Sequence, residues 1–177
     1  MTTKIIIAGF GGQGIILTGK LLAYSAMREG KEVTHFPSYG AEMRGGTCNC
    51  SVIISDNDIA SPVVSEPDVA LVFNQPSKNK FEPKCKNNSK IILNKSLIND
   101  EVGRNDVDSY YVDATNIADK LGNTRATNMV MLGAFAKATN IVKLDTMIEA
   151  LNDVISSRNK ALIEVNAKAL KEGFESV

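Results

Sequence analysis

The chain has 177 residues, enough for one domain with a full core. Apolar residues make up 44% and charged residues 23%, and twenty basic residues cancel twenty acidic ones. The balance offers no basic excess for nucleic acid and no acidic tail, and without a run of about eighteen apolar residues no membrane span is expected.

Taken in chain order, Met1-Thr2-Thr3-Lys4 runs directly into an apolar stretch. It lacks the charged start, long apolar run and cleavage site of a signal peptide, so a cytosolic (cytoplasmic) location is expected. Residues 4–8 (Lys-Ile-Ile-Ile-Ala) read as a strand buried on both faces of a parallel sheet. Residues 12–28 read as a helix, with Ile15, Leu22, Ala26 and Met27 at helical spacing and Gly30 as its stop. Gly19 and Ala23, four apart, would let that helix sit close to the sheet. Residues 33–36 form a second strand, stopped by Pro37. A glycine-bounded loop follows at 38–46.

Thr47–Ser55 reads as a third strand, closed by a turn at Asp56-Asn57-Asp58. Pro62 and Pro67 punctuate an irregular connection. Residues 69–73 and Lys90–Asn94 are two more buried strands, separated by a short helix and exposed loop over 75–89. Residues 110–112 are the last strand. Helices then follow at 114–121, 127–138, 144–155 and 159–172, the last ended by Gly173. The expected class is α/β: a Rossmann-like three-layer sandwich with a mainly parallel or mixed sheet and a helical C-terminal third. An antiparallel pair around Thr47–Ser55 stays open, and residues 1–177 are expected to form one domain.

Cys48, Cys50 and Cys85 are odd in number, which argues against a disulfide framework, and they are too few for a four-thiolate zinc or iron–sulfur site. Along a strand, Cys48 and Cys50 share a face with Val52 and Ile54, so buried small hydrophobes are the preferred reading over a ligand pair. His35, the single histidine, reads as structural rather than as a general base, and no metal site or catalytic residue is expected.

Gly9-Phe10-Gly11-Gly12-Gln13-Gly14 matches G-x-G-x-x-G directly after a strand and at the opening of a helix. Glycines there let backbone amides approach a phosphate at the positive end of the helix. Residues 1–28 contain no Asp or Glu, so an anion would meet no repulsion. A dinucleotide site would want an acid about twenty positions on; here the chain reads Val33-Thr34-His35-Phe36-Pro37, which disfavours NAD and NADP. A ligand-free turn stands against another phosphate-bearing ligand or a partner surface.

Ser38-Tyr39-Gly40-Ala41-Glu42-Met43-Arg44-Gly45-Gly46 sets a hydroxyl, a phenol, an acid and a base between glycines. Such a loop costs entropy to order and is rich in hydrogen-bonding groups, which suits contact. The plainer reading is a solvated turn with a weak Glu42–Arg44 surface pair.

Together, these two segments, with Val52–Asp56, Ser61-Pro62, Pro67-Asp68, Asn74-Gln75, Asn128 and Leu132-Gly133-Ala134, resemble the gamma subunit of 2-oxoacid:ferredoxin oxidoreductases across essentially the whole chain. The Ser-Tyr-Gly form of the loop is more similar to 2-oxoglutarate and branched-chain members than to pyruvate members. The resemblance implies a subunit, inactive alone, of a complex of anaerobic metabolism that decarboxylates a 2-oxoacid to an acyl-CoA and reduces ferredoxin. Thiamine diphosphate, Mg and iron–sulfur clusters would sit in partner alpha, beta and delta-type subunits. Coenzyme A would meet the glycine turn through Gly11, Gly12, Gln13 and Gly14, with Ser38, Tyr39, Glu42 and Arg44 on the same sheet edge facing coenzyme A or a partner subunit. The small subunit of indolepyruvate:ferredoxin oxidoreductase, a stand-alone nucleotide-binding module and a purely structural subunit are the competing expectations.

Overall fold

The computed structural model describes residues 1–39, 46–155 and 160–177; Glu42, Arg44 and the side chain of Tyr39 lie outside the described residues. Among the described residues six strands are formed: β1 (Thr2–Phe10), β2 (Glu32–Tyr39), β3 (Thr47–Ser55), β4 (Val69–Val72), β5 (Lys90–Asn94) and β6 (Asp108–Val112). They form one sheet in the order β2-β3-β1-β4-β5-β6. β1, β4, β5 and β6 pair in parallel, whereas β3 runs antiparallel to both of its neighbours, β2 and β1. A short connection joins β2 to β3, and only an antiparallel partner is reachable that way. The sheet is therefore mixed, with its single reversed strand at 47–55.

The described helices are α1 (Ile15–Arg28), α2 (Gln75–Phe81), α3 (Ala114–Lys120), α4 (Thr127–Thr139), α5 (Leu144–Val154) and α6 (Lys160–Glu175). The two sheet faces are covered unequally. Ile5, Ile7, Cys50, Val52, Leu71 and Ile92 point into a large core shared with α1, α3, α4, α5 and α6. Alternate residues Ile6, Ala8, Ala70, Val72, Ile91 and Leu93 point to the other face, where Phe81 of α2 and Cys85 cover them in two smaller clusters. Both faces of β1 and β4 are thus buried, as the unbroken apolar runs require. α4 is buried from Asn128 through Ala136, the signature of a helix enclosed on nearly all sides.

Three expectations change. Pro37 does not stop β2, which continues to Tyr39 with Pro37 opposite Cys50. β2 is an edge strand, and one side of an edge strand makes no ladder bonds, so a missing N–H is tolerated. Gly173 does not end the last helix; it lies buried inside α6. A Cβ there would stand 1.9 Å from Val130 O, and one on Gly133 would stand 2.0 Å from Leu170 O. Both glycines let α4 and α6 cross backbone to backbone. The 75–89 stretch is less exposed than expected, since Phe81, Cys85 and Ser89 are buried. Gly19 does hold α1 close to the sheet: a Cβ would meet Cys50 Sγ at 2.5 Å and His35 Nε2 at 2.8 Å.

Candidate functional site

The glycine turn sits at the carboxyl edge of the parallel strands, between the ends of β1 and β4, where the strand order reverses direction. Open α/β sheets form their ligand crevices at this point. Gly9 has no room for a side chain, because a Cβ would lie 2.6 Å from Gln13 Oε1 and 2.9 Å from Phe73 Cβ. Gly12 and Gly14 take φ of 99° and 76°, the left-handed region that suits glycine. The turn is clasped from within. Gln13 Oε1 accepts from Phe10 N at 2.7 Å and from Asn74 Nδ2 at 3.0 Å. Asn74 in turn accepts from Ser77 N, capping α2. From the other side, Asn128 Nδ2 donates to Gly14 O at 3.4 Å.

This network decides which amides remain available. Gly11 N donates to Gly46 O at 3.0 Å and Gln13 N to Phe10 O at 3.1 Å. Among the described residues, the amides of Gly12, Gly14, Ile15, Ile16 and Leu17 have no acceptor. No side chain caps α1 and no acid occupies its first turn, so the positive end of its dipole is unopposed by any residue of that turn.

Beside the turn lies a crevice of about 260 Å³. Gly12 and Gln13 form one wall; Leu97, Thr115, Thr124, Arg125 and Thr127 form the rest. Leu97 is exposed, giving an apolar lip. Arg125 is exposed and has no ion pair among the described residues. Its segment is fixed by Asn123, whose side chain accepts from Arg125 N, while Thr127 Oγ1 donates to Thr124 O. Thr115 is held by Asn94 Nδ2 at 3.0 Å and by Ser96, which also bonds Asp113 at 2.7 Å. The Ser96 hydrogen bond holds the Asp113 carboxyl below its ordinary range, so this acid is occupied in anchoring the loop. The crevice thus joins open amides, one guanidinium and three hydroxyls, a group of side chains and backbone donors whose chemistry suits an anion.

The structure places Gly11, Gly12, Gln13 and Gly14 together on this edge. Tyr39 is level with Gly9 through Cys48, so its backbone reaches the same edge. Ser38 is exposed, opposite Asn49, on the sheet face away from α1. The bond from Gly11 to Gly46 ties the end of the 38–46 segment to the turn. Thr115, Thr124, Arg125 and Thr127 escaped the sequence reading. For the last three the only local sign is the mostly polar run Asn123-Thr124-Arg125-Ala126-Thr127 ahead of an apolar helix.

The reactive side chains are placed as structure. Burial pushes the Cys50 thiol up to about 12 and the Cys85 thiol up to about 11. His35 is held below its ordinary pKa, first by burial and then by Lys20, and its Nε2 is enclosed without a partner among the described residues. Among the described residues no three His, Cys, Asp or Glu side chains gather as a metal site, and no helix is long and apolar enough to cross a membrane.

The order of strands and the crevice at their carboxyl edge define an α/β protein of the doubly wound type. Residues 4–176 match the pyruvate ferredoxin/flavodoxin oxidoreductase family, and the chain belongs to that family. It is 35% identical to the 2-oxoglutarate synthase subunit KorC of Methanocaldococcus jannaschii, over 99% of this chain and 94% of that one. It is 37% identical to the ketoisovalerate oxidoreductase subunit VorA of Methanothermobacter marburgensis, over 97% of this chain, but it spans only 36% of that relative's length. The gamma subunit of a keto/oxoacid ferredoxin oxidoreductase from Geobacter sulfurreducens superposes with a TM-score of 0.87 at 28% identity, covering 99% of this chain and 96% of that one. A 2-oxoglutarate:ferredoxin oxidoreductase from Magnetococcus marinus, solved with 2-oxoglutarate, coenzyme A and succinyl-CoA bound, superposes with a TM-score of 0.88 at 27% identity, over 98% of this chain and 30% of that one.

Proposed function

We propose that this chain is the gamma subunit of a 2-oxoacid:ferredoxin oxidoreductase, with 2-oxoglutarate the favoured substrate, acyl-CoA the product and ferredoxin the electron acceptor. The observation that carries this reading is the end-to-end match to a 2-oxoglutarate synthase subunit of nearly the same length. Thiamine diphosphate with its Mg and the iron–sulfur clusters belong to the alpha, beta and delta-type partners. The donor chemistry of this chain agrees, since three cysteines cannot supply four thiolates, and two of them are buried.

The part played by this chain is to receive coenzyme A. The amides of Gly12 and Gly14 and the first turn of α1 would take the diphosphate, and Arg125 would pair with a phosphate oxygen. Thr124 stands beside Arg125 with a hydroxyl donor, and Leu97 offers apolar surface to the pantetheine arm. Ser38, Tyr39, Glu42 and Arg44, on the segment tied to the turn at Gly46, would close over coenzyme A or meet a partner subunit. The match to a ketoisovalerate subunit supports a second reading, in which the substrate is a branched-chain 2-oxoacid.

The test is to co-express the chain with its partner subunits and follow viologen reduction with 2-oxoglutarate and 2-oxoisovalerate. Coenzyme A-dependent reduction is expected, faster with 2-oxoglutarate; the reverse preference selects the second reading. Arg125→Ala and Arg44→Ala are each expected to raise the KM for coenzyme A about tenfold, the loss of one charge-assisted contact, with kcat and co-purification retained. Loss of partner subunits at unchanged KM would assign these side chains to the interface instead.

A further inference from the structure

Gln13 and Asn74 meet through their side-chain amides, and each amide has only one workable orientation. A backbone N–H donates and never accepts, so the Gln13 atom facing Phe10 N at 2.7 Å must be its oxygen. The Asn74 atom facing Ser77 N at 3.0 Å must likewise be oxygen. That leaves Asn74 Nδ2 turned toward Gln13 Oε1, 3.0 Å away. One directed chain of hydrogen bonds therefore runs from the first turn of α2 to the last residue of β1. Flipping either amide would set donor against donor.

Asn74 is the fixed end of this chain. It is 3% exposed and caps α2, and just before it Phe73 N donates to Ala8 O at 2.9 Å, locking the backbone to β1. Gln13 is the movable end. It lies between Gly12 and Gly14, both at positive φ, where the backbone resists rotation least. The Gly14 N–H belongs to the peptide plane that follows Gln13, so turning Gln13 re-aims that amide. Gln13 also forms part of the crevice wall, whereas Asn74 does not. Among the hydrogen-bond partners of Asn74, only Gln13 lines the crevice.

We propose that Asn74 is a positioning residue for the bound anion: it holds Gln13 folded back on the glycine turn, and so keeps the open Gly12 and Gly14 amides in place before the ligand arrives. This rests on the reading given above, that the turn takes the phosphates of coenzyme A. A turn fixed beforehand has less ordering entropy to lose on binding, so the contribution of Asn74 falls on affinity and not on chemistry.

Asn74→Ser keeps a capping oxygen for α2 but is too short to reach Gln13 Oε1. In the assembled oxidoreductase it should raise the KM for coenzyme A about fivefold, the loss of one hydrogen bond, with kcat retained. In the full chain followed by NMR it should speed hydrogen exchange at the Phe10 amide while the Ser77 amide keeps its protection. Asn79→Ser makes the same change at an exposed position of α2 and should alter neither reading. Gln13→Met removes the acceptor at similar size, and in that background Asn74→Ser should add nothing, because the two side chains act through one contact. An equal rise in KM with and without Gln13, a loss confined to kcat, or unchanged exchange at Phe10 would each overturn the proposal. If Gln13→Met and Arg125→Ala raise the KM and Asn74→Ser does not, coenzyme A uses the crevice and only the role of Asn74 falls. If none of the three raises it, the coenzyme A reading falls as well. Asn74→Thr, a second capping residue of insufficient reach, should repeat the result, and thermal melts matched to the parent certify folding.

Discussion

Gly173→Ala sets two effects of opposite sign against each other. In an open helix the change stabilises by about 1 kcal/mol, because alanine loses less backbone entropy than glycine. In α6 the new Cβ would lie 1.9 Å from Val130 O and 2.7 Å from the carbonyl carbon. Carbon and oxygen sit comfortably at roughly 3.3 Å, so α6 must withdraw from α4 by about 1.4 Å. The obstacle is backbone, and no side chain can swing aside. Overpacking of this kind costs about 3 kcal/mol at the upper end of the usual range. The net loss is about 2 kcal/mol, which lowers the Tm of a chain this size by roughly 4–8 °C. Urea unfolding followed by circular dichroism should show a lower midpoint at unchanged slope. Gly133→Ala meets Leu170 O across the same crossing, so the two changes together should cost less than their sum. A Gly173→Ala protein as stable as the parent, or more so, would refute the backbone-contact argument. The consequence reaches the site, because α4 begins at Thr127 and its Asn128 holds Gly14.

Gly14→Ala combines a φ of 76° with a Cβ 2.5 Å from Asn128 Nδ2, and should destabilise by about 1–3 kcal/mol in the same urea assay; Asn128→Ala in that background should recover only the steric part. His35 has a folded pKa below its unfolded value, so its contribution to stability is fully present above the unfolded pKa of about 6.5 and is lost as pH falls from there through the lower folded value. Stability measured from pH 7 to about 5 should therefore fall in the parent chain and fall less in His35→Gln. With the Cys50 and Cys85 thiols raised to about 12 and about 11 by burial, a thiol reagent should label the partly buried Cys48 first in the native chain. The other two should react only on addition of denaturant, and rapid native labelling of Cys50 would contradict its placement against Ile15 O.

The chain read in isolation determines which segments become strands. Ile5-Ile6-Ile7 and Val69–Val72 are buried on both faces, and an unbroken apolar run of strand length has few other places to go. It also determines the glycine turn, because Gly12 and Gly14 answer to a local constraint of positive φ, and it determines that Cys48 and Cys50 share a face. Sequence periodicity reports burial one element at a time, and it is silent on which elements meet. Tertiary structure alone decided that β3 slips between β2 and β1, so Pro37 could sit on an edge, and that Gly173 lies mid-helix against Val130. It also decided the crevice. Arg125, Thr124 and Thr127 are over a hundred residues from Gly12 in the chain, and they reach it because the buried α4 begins at the carboxyl edge, next to the turn that Asn128 holds.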